Sequence, residues 1–510
     1  MLRSTRQSAR PGARQGNTPV QPAPLRRPGG VGQGAAGRAP AGARGSVTHA
    51  LCRDDDNRRL FAYERDVKAA FDRIVPTLKQ VSALQHEPQF EQQAQRIARE
   101  QLGFELPQDI LADAWVEQLD MRRLFAWCVF STYRRFCDDY YRNDPLASRD
   151  DEGFDAFLQA CGFHTLDISP CADGRLAHLV RYVLRLPQQS VRRKSYAGAL
   201  FDIEDSIQKW TEVELARFRE GRPNTADAAT RYLKVVTYHY SSVDPQHQGC
   251  AAHGSDTAKA AAAGLERLYA FREAIENSFC CGASIDLLLI GLDTDTDAIR
   301  VHVPDAQGAI DLASAVDALA LFDATARGGA ADATRAIAAA LRECTPDVQP
   351  GMAQLVERLI ENNLSQIAYV RANHGQHYAD IGHAERFIGA GVGFEEIQLR
   401  NLMYFAYLNT VEEATADLDV GVKIFSGLNV AHGLPVPVIV RFDHHGQVPG
   451  SRARAEQHCA RVAAALQARF DDLTKRGLLH VLQVTRDCDR AGSIELLACS
   501  VNAQTQAGGH

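Results

Sequence analysis

Apolar positions along residues 57–145 recur with helical spacing. Phe90, Ala94, Ile97, Ala98 and Leu102 fall on one face, and a second apolar run extends from Ala114 to Tyr141. No alternating pattern interrupts it, so the spacing predicts an all-helical N-terminal domain over 47–145, closed by Asn143-Asp144-Pro145. Beyond that point the texture changes. A helix is predicted over Leu176–Leu186, entered from a turn and stopped by Pro187. Tyr232–Tyr240 is rich in Tyr, Val and Thr and reads as a strand. A helix over 256–278 follows, then two strands, Ile285–Leu292 and Ile299–Val303. Their acidic connection, Asp293-Thr294-Asp295-Thr296-Asp297, lacks the glycine and terminal glutamate of a calcium loop and is expected to be a solvated turn.

The same order of elements returns later, as a strand over Val436–Phe442, a helix over 453–474 and a strand pair over Leu478–Val484 and Ile494–Val501. Strand–helix–strand–strand at similar spacing predicts an internal duplication. Phe442 then lies roughly opposite His239, so the second copy has no metal ligand there. The expected organisation is a helical N-terminal domain, an α/β domain over 146–394 that carries chemistry, and a non-catalytic duplicate over 395–510.

Composition changes this picture at one end. Residues 1–46 hold eight arginines and neither lysine nor acid; the chain's net charge of −7 therefore leaves −15 for the remainder. The segment is rich in Pro, Gly, Ala and Gln, cannot offset its ordering entropy by burial, and is expected to be a disordered basic tail that docks on an acidic protein partner. Nucleic acid is not an expected partner, because no aromatics interleave with the arginines. No apolar run is long enough to span a bilayer. The twelve cysteines show no framework spacing, so a reducing compartment is expected. Cys128, Cys137 and Cys499 read as small core residues, and the adjacent Cys280-Cys281 is given no role.

Chemistry concentrates in Ser169-Pro170-Cys171-Ala172-Asp173-Gly174-Arg175. A thiol, a carboxylate and a guanidinium stand two residues apart on a turn. A metal site with an open position needs a soft ligand, a group to orient water and a counter-ion for that group. Cys171, Asp173 and Arg175 can supply these in that order, and Cys250 can supply a second thiolate. The imidazole is left open among His239, His247 and His253 by spacing alone. Two thiolates and one neutral imidazole around Zn²⁺ would lower the pKa of bound water from ~15.7 toward ~7. Asp173 would orient that water, with Arg175 holding the carboxylate bidentately.

Other motifs weigh less. His374, His377 and His383 could form a second metal site or a proton shuttle, or simply an ordinary helix face. Gly389, Gly391 and Gly393 lack the Lys-Ser/Thr of a phosphate loop, and close backbone approach or a mobile loop is expected instead. A nucleobase-deaminase site needs H-x-E before P-C-x-x-C; Cys171 is followed by Ala-Asp-Gly-Arg, and His383-Ala384-Glu385 lies on the wrong side. A non-catalytic scaffold with structural zinc would close its fourth position with His247 or His253.

The Cys-x-Asp-x-Arg turn followed by a His/Cys pair resembles the β-class carbonic anhydrases. The runs SPCADGRLAHLVRYVLRLP, YHYSSVDPQHQGCAAHGSD, DIGHAERFIGAGVGFEEIQLRNL and GLPVPVIVRF are similar to the carboxysomal shell branch of that class, and the likeness spans nearly everything after residue 50. Ordinary β-class enzymes carry His-x-x-Cys, which nominates His247 as the rival ligand. The carboxysomal branch takes its histidine from the upstream strand, which implies His239. The resemblance further implies one Zn²⁺ per chain on Cys171, His239 and Cys250, with Asp173 and Arg175 catalytic. It implies a β-carbonic-anhydrase-like catalytic domain with a degenerate duplicate, and reversible hydration of CO₂ by zinc-bound hydroxide. The setting it implies is the carboxysome, with CO₂ supplied to Rubisco, the tail tethering the enzyme to Rubisco or shell proteins, and a homodimer or higher assembly.

Overall fold

A computed structural model describes residues 49–140, 153–225, 228–279, 283–379, 383–408, 415–490 and 493–501. The expected tail over 1–46, the closing segment 143–145 and Cys280-Cys281 lie outside the described residues.

The N-terminal region is helical, with α1 (Asp54–Asp72), α2 (Ile74–Ala83), α3 (Phe90–Gln101), α4 (Gln108–Asp113) and α5 (Met121–Tyr140). The predicted stripe is the buried face of α3: Phe90, Ala94, Ile97, Ala98 and Leu102 are all buried. The apolar run beginning at Ala114 does not pack throughout. Trp115 is 90% and Val116 83% exposed, because they occupy the turn between α4 and α5 rather than a helix face.

The first α/β unit contains α6 (Phe154–Ala160), β1 (Thr165–Pro170), β2 (Arg192–Arg193), α7 (Ile203–Arg219), β3 (Thr230–Tyr240), α8 (Thr257–Phe279), β4 (Ala283–Asp293), β5 (Ile299–His302), β6 (Val316–Asp317), α9 (Ala318–Thr325), α10 (Ala330–Cys344) and α11 (Pro350–His374). Its sheet runs β2-β1-β3-β4-β5-β6. The first four strands pair in parallel and β4–β5 and β5–β6 antiparallel. Central strands β3 and β4 are near-continuous apolar runs, as burial on both faces requires.

The second unit contains β7 (Phe387–Val392), β8 (Met403–Tyr407), α12 (Thr415–Leu428), β9 (Val436–Phe442), α13 (Ser451–Arg469), α14 (Asp471–Lys475), β10 (Leu479–Thr485) and β11 (Glu495–Cys499). Its sheet runs β11-β10-β9-β7-β8, with only the β10–β11 pair antiparallel. One face packs on α12 and α13. The other is covered by the N-terminal helices, where Phe387 stacks on Phe71 (6.0 Å) and meets Tyr133 edge-on (5.5 Å). The glycine-rich segment is strand β7. Gly391 has φ +126°, and a Cβ there would collide with the carbonyl oxygen of Arg441 on β9. Close backbone approach therefore explains that glycine. Because β7 pairs in the second sheet, the chain enters that sheet before residue 394, where the sequence reading ends the first α/β domain.

Three expectations are corrected. Leu176–Leu186 is not a regular α-helix but a 3₁₀ turn, Gly174–Leu176, followed by a π-helix, Leu179–Val183. Fixed side-chain anchors at its two ends accompany the altered winding. His178 Nε2 lies 2.7 Å from Asp297 Oδ2, and Arg185, at φ +51°, donates to Asn57 and Gln366. The turn 293–297 is buried, not solvated. Its carboxylates are occupied by neighbours: Asp293 by Ser242 and Thr296, Asp295 by Ser241 and the Val243 N–H, Asp297 by His178, Gln366 and Tyr378. The helix expected over 453–474 is interrupted at Phe470, whose φ/ψ of −110°/43° separates α13 from α14.

Helix α12 is tied to the first unit through a buried carboxylate. The Ala197 N–H donates to Asp417 Oδ1 at 2.8 Å. Burial pushes the Asp417 carboxyl up to about 6, against the opposing pull of that N–H. A carboxyl raised on folding contributes stability that is complete below its unfolded pKa of about 3.9 and lost as pH rises through about 6. Asp417→Asn keeps an oxygen for Ala197 without the buried charge. In urea denaturation across pH 4–8, its advantage over the parent is expected to be small near pH 4 and to level off above pH 6 at about 3 kcal/mol. A pH-independent difference would contradict the assignment.

Candidate metal centre

Strands β1 and β3 are parallel neighbours, and the site lies at their carboxyl ends, where open α/β sheets place ligands. Cys171 follows β1, its N–H donating to the Thr237 carbonyl at 3.2 Å. His239 is the penultimate residue of β3. Cys250 precedes the 3₁₀ turn Ala251–His253. All three are buried, and their donor atoms lie within 4.8 Å of one another. The sulfurs are 4.0 Å apart. Two ~2.3 Å metal–sulfur bonds at a tetrahedral angle would place them ~3.8 Å apart, so the spacing fits a thiophilic cation such as zinc. The unoccupied hydrogen-bonding capacity agrees with it, since His239 Nδ1 is buried without a hydrogen-bond partner.

The electrostatics of the thiols point the same way. The thiol contact and then burial hold Cys171 well above the usual thiol range, while the same contact draws Cys250 down. Two adjacent thiolates would repel in a buried site. A cation removes that conflict.

Beside this set lies a buried ion pair. Asp173 Oδ1 accepts from the Arg175 N–H (2.9 Å) and Nε (3.0 Å), and Oδ2 from Nη2 (2.7 Å). Burial opposes ionisation of Asp173, but the charge of Arg175 and then of His239 outweigh it and carry the carboxyl well below its usual range. Arg175 Nη1 also donates to the Gln248 carbonyl at 2.6 Å, tying the turn to the loop that carries Cys250. His239 Nε2 is 3.5 Å from Asp173 Oδ2.

The other histidines are elsewhere. The His247 side chain is 74% exposed and pairs with Asp244 at 2.9 Å. His253 Nε2 is 3.1 Å from the Gly198 carbonyl. The trio His374, His377 and His383 is not gathered: His374 packs on Tyr378 (centroids 4.5 Å), His377 is exposed, and His383 faces the metal centre's cavity.

That cavity, about 360 Å³, is lined by the ligand set and Asp173, by Ala197, Gly198 and Ala251–Ala252, by His383 on the segment leading into β7, and by residues of the second unit: Tyr404, Val420, Lys423 and Ile424. Sequence reasoning missed this second wall. Its one local signal is the i, i+3, i+4 spacing of Val420, Lys423 and Ile424 on α12, which does not reveal what the face meets. Glu385 was also missed. Its side chain is fully buried, occupies the space a Cβ at Gly174 would need, and accepts from or donates to His383 Nδ1 at 2.9 Å depending on protonation. Burial lowers the His383 pKa, but the bond to Glu385 and then the charge of Asp173 outweigh it and raise it. The Asn401 N–H donates to the Gly174 carbonyl at 2.9 Å, so the second unit holds the Asp173–Arg175 turn from behind.

Three models of the carboxysome shell carbonic anhydrase family match in sequence: N-terminal over 49–141, catalytic domain over 153–383 and C-terminal over 384–501. The carboxysome shell carbonic anhydrase of Parasynechococcus marenigrum WH8102 is 56% identical over 461 residues, covering 89% of this chain and 79% of its own length. That of Prochlorococcus marinus MIT 9313 is 54% identical, covering 89% of both. That of Halothiobacillus neapolitanus is 42% identical, covering 88% of this chain and 90% of its own. With all three regions matched in order around this centre, the chain belongs to the carboxysome shell carbonic anhydrases, the carboxysomal enzymes that interconvert CO₂ and bicarbonate.

Proposed function

We propose that this chain performs CO₂ hydration and its reverse at a single Zn²⁺ held by Cys171, His239 and Cys250, with Asp173 and Arg175 as the catalytic pair. The observation that carries the reading is the convergence of two buried thiols and an imidazole beside an ion-paired carboxylate. When bound, such a cation supplies Lewis acidity, lowering the pKa of water at the site toward neutrality. The chain's own residues do the rest. Asp173, kept ionised by Arg175, can only accept a hydrogen bond, so it would accept one from the attacking oxygen, which keeps its own proton, and turn a lone pair toward the carbon of CO₂. Arg175 fixes the carboxylate in the plane that does this. The apolar walls from Ala197, Ala252, Val420 and Ile424 suit an uncharged linear substrate and limit competing water. The position of His247 and His253 away from the ligand set favours an open, catalytic site over a closed structural one.

We further infer that the second unit is a degenerate copy of the first. The order β2-β1-β3-β4-β5 and the order β8-β7-β9-β10-β11 coincide, with the same single antiparallel pair at the end. Among the described residues the second sheet's strand ends carry no comparable group of metal-ligating side chains. The domain limits 47–145, 146–394 and 395–510 are proposed with the last boundary moved back to Phe387, so that β7 belongs to the copy. The CO₂ released serves Rubisco, the basic tail tethers the enzyme to Rubisco or shell proteins, and the chain works as a homodimer or higher assembly.

Cys171→Ala, Cys250→Ala and His239→Ala are each expected to lose zinc and ¹⁸O-exchange activity together, whereas His247→Ala keeps both. Full metal content in any of the first three would refute the ligand set. Asp173→Asn is expected to retain zinc and lose activity on the order of a hundredfold, since an amide can donate to the nucleophile in the wrong sense. Near-parental exchange rates would show the pair to be structural only.

Deleting residues 1–46 is expected to leave zinc and turnover intact and to abolish co-sedimentation with Rubisco. The full chain's association should weaken steeply as salt shortens the ~8 Å screening length. Retained binding by the truncated chain at low salt would refute the tether.

A further inference from the structure

The body of the chain presents an unfavourable field to one of its two substrates. Outside the tail it carries a net charge of −15, and bicarbonate is an anion. The obvious cation near the metal ligands is not available to it. Arg175 spends Nε and Nη2 on Asp173 and Nη1 on the Gln248 carbonyl. Two lining histidines or near neighbours are likewise committed, His383 to Glu385 and His253 to the Gly198 carbonyl. One further cation lines the cavity. Lys423 is exposed and makes no ion pair among the described residues.

Its placement is built rather than incidental. Asp417 pins the first turn of α12 to Ala197, itself a cavity-lining residue. Val420, Lys423 and Ile424 follow on one helical face, so the same helix lays two apolar side chains along the cavity and one ammonium at its mouth. A cavity of 360 Å³ taken as a sphere is roughly 9 Å across, comparable to the screening length at physiological salt, so this charge is felt at the ligand set.

We propose that Lys423 is the bicarbonate-capturing residue of this enzyme, a specificity determinant contributed by the unit that has no metal site of its own. Building on the carbonic anhydrase reading above, the ammonium draws the anion to the mouth of an otherwise apolar cavity and holds it for the metal centre. Dissolved CO₂ enters along the apolar wall, and in that direction the ammonium acts on the anion as it forms rather than on the uncharged substrate.

The test uses the full-length zinc-loaded protein and stopped-flow bicarbonate dehydration. Lys423→Gln is expected to raise the KM for bicarbonate about threefold to tenfold at low ionic strength, Lys423→Glu further, with kcat changing less than KM. Because both directions share one equilibrium constant, kcat/KM for CO₂ hydration must fall by the same factor. Raising the ionic strength should shrink the gap between parent and Lys423→Gln, and Lys423→Arg should restore the parental KM. A merely structural role would give neither the salt dependence nor the rescue by arginine. An unchanged bicarbonate KM in Lys423→Gln, or a deficit indifferent to salt, overturns the inference. A parent protein with zinc but no exchange activity would instead overturn the reading on which it rests.

Discussion

The buried pair between Asp173 and Arg175 is the interaction on which the site depends. Two ions brought out of water cost several kcal/mol each unless their hydrogen bonds are complete, and here nearly every polar atom of the pair is used. The arginine joins the turn after β1 to the loop that presents Cys250, so the same guanidinium that keeps the carboxylate charged also ties together the two segments that carry the thiols. Removing either member leaves an isolated charge beside the metal ligands. The pair is therefore a scaffold and, in the proposed mechanism, the source of the hydrogen-bond acceptor.

Around this pair the second α/β unit acts as a wall, although it brings no metal ligand. Glu385 fills the space above Gly174, Asn401 ties its carbonyl, and α12 closes the cavity with an apolar face. Behind the turn, buried polar groups continue the support. Asp297 receives His178, Gln366 and Tyr378, and the Arg400 guanidinium stacks 4.1 Å from the Tyr378 ring. These residues come from both α/β units, Gln366 from α11, so the 174–185 segment is held by groups distant in sequence. A polar network of this kind specifies one arrangement of the segment rather than adding much stability. The N-terminal helices contribute differently, covering the outer face of the second sheet.

Much of this was legible along the chain. The helical period of 90–102, the β-rich runs of 232–240 and 436–442, and the clustering of Cys171, Asp173 and Arg175 on a turn all follow from local physics: hydrophobic periodicity, β-branching, and Pro and Gly at a bend. The candidate ligands could be gathered from sequence because each chemical type is scarce. Among three histidines near Cys250, spacing could not choose; resemblance favoured His239, and the structure places its ring, at the end of a strand adjacent to β1, beside the two thiols.

What the sequence by itself determined were therefore the elements and the inventory of reactive groups. Tertiary structure decided how those groups were completed. The acidic turn 293–297 looks solvated because its letters are those of a loop, yet it is buried, with Ser241, Ser242, His178 and Gln366, from other elements, each bonded to one of its carboxylates. The 176–186 segment has a helical pattern, but its anchors at His178 and Arg185 bind partners whose positions no local preference encodes, and the winding is 3₁₀ and π instead. The cavity wall from Tyr404, Val420, Lys423 and Ile424 is invisible along the chain for the same reason. Local periodicity says that a helix has a face; only the packing of one unit on another says what that face meets.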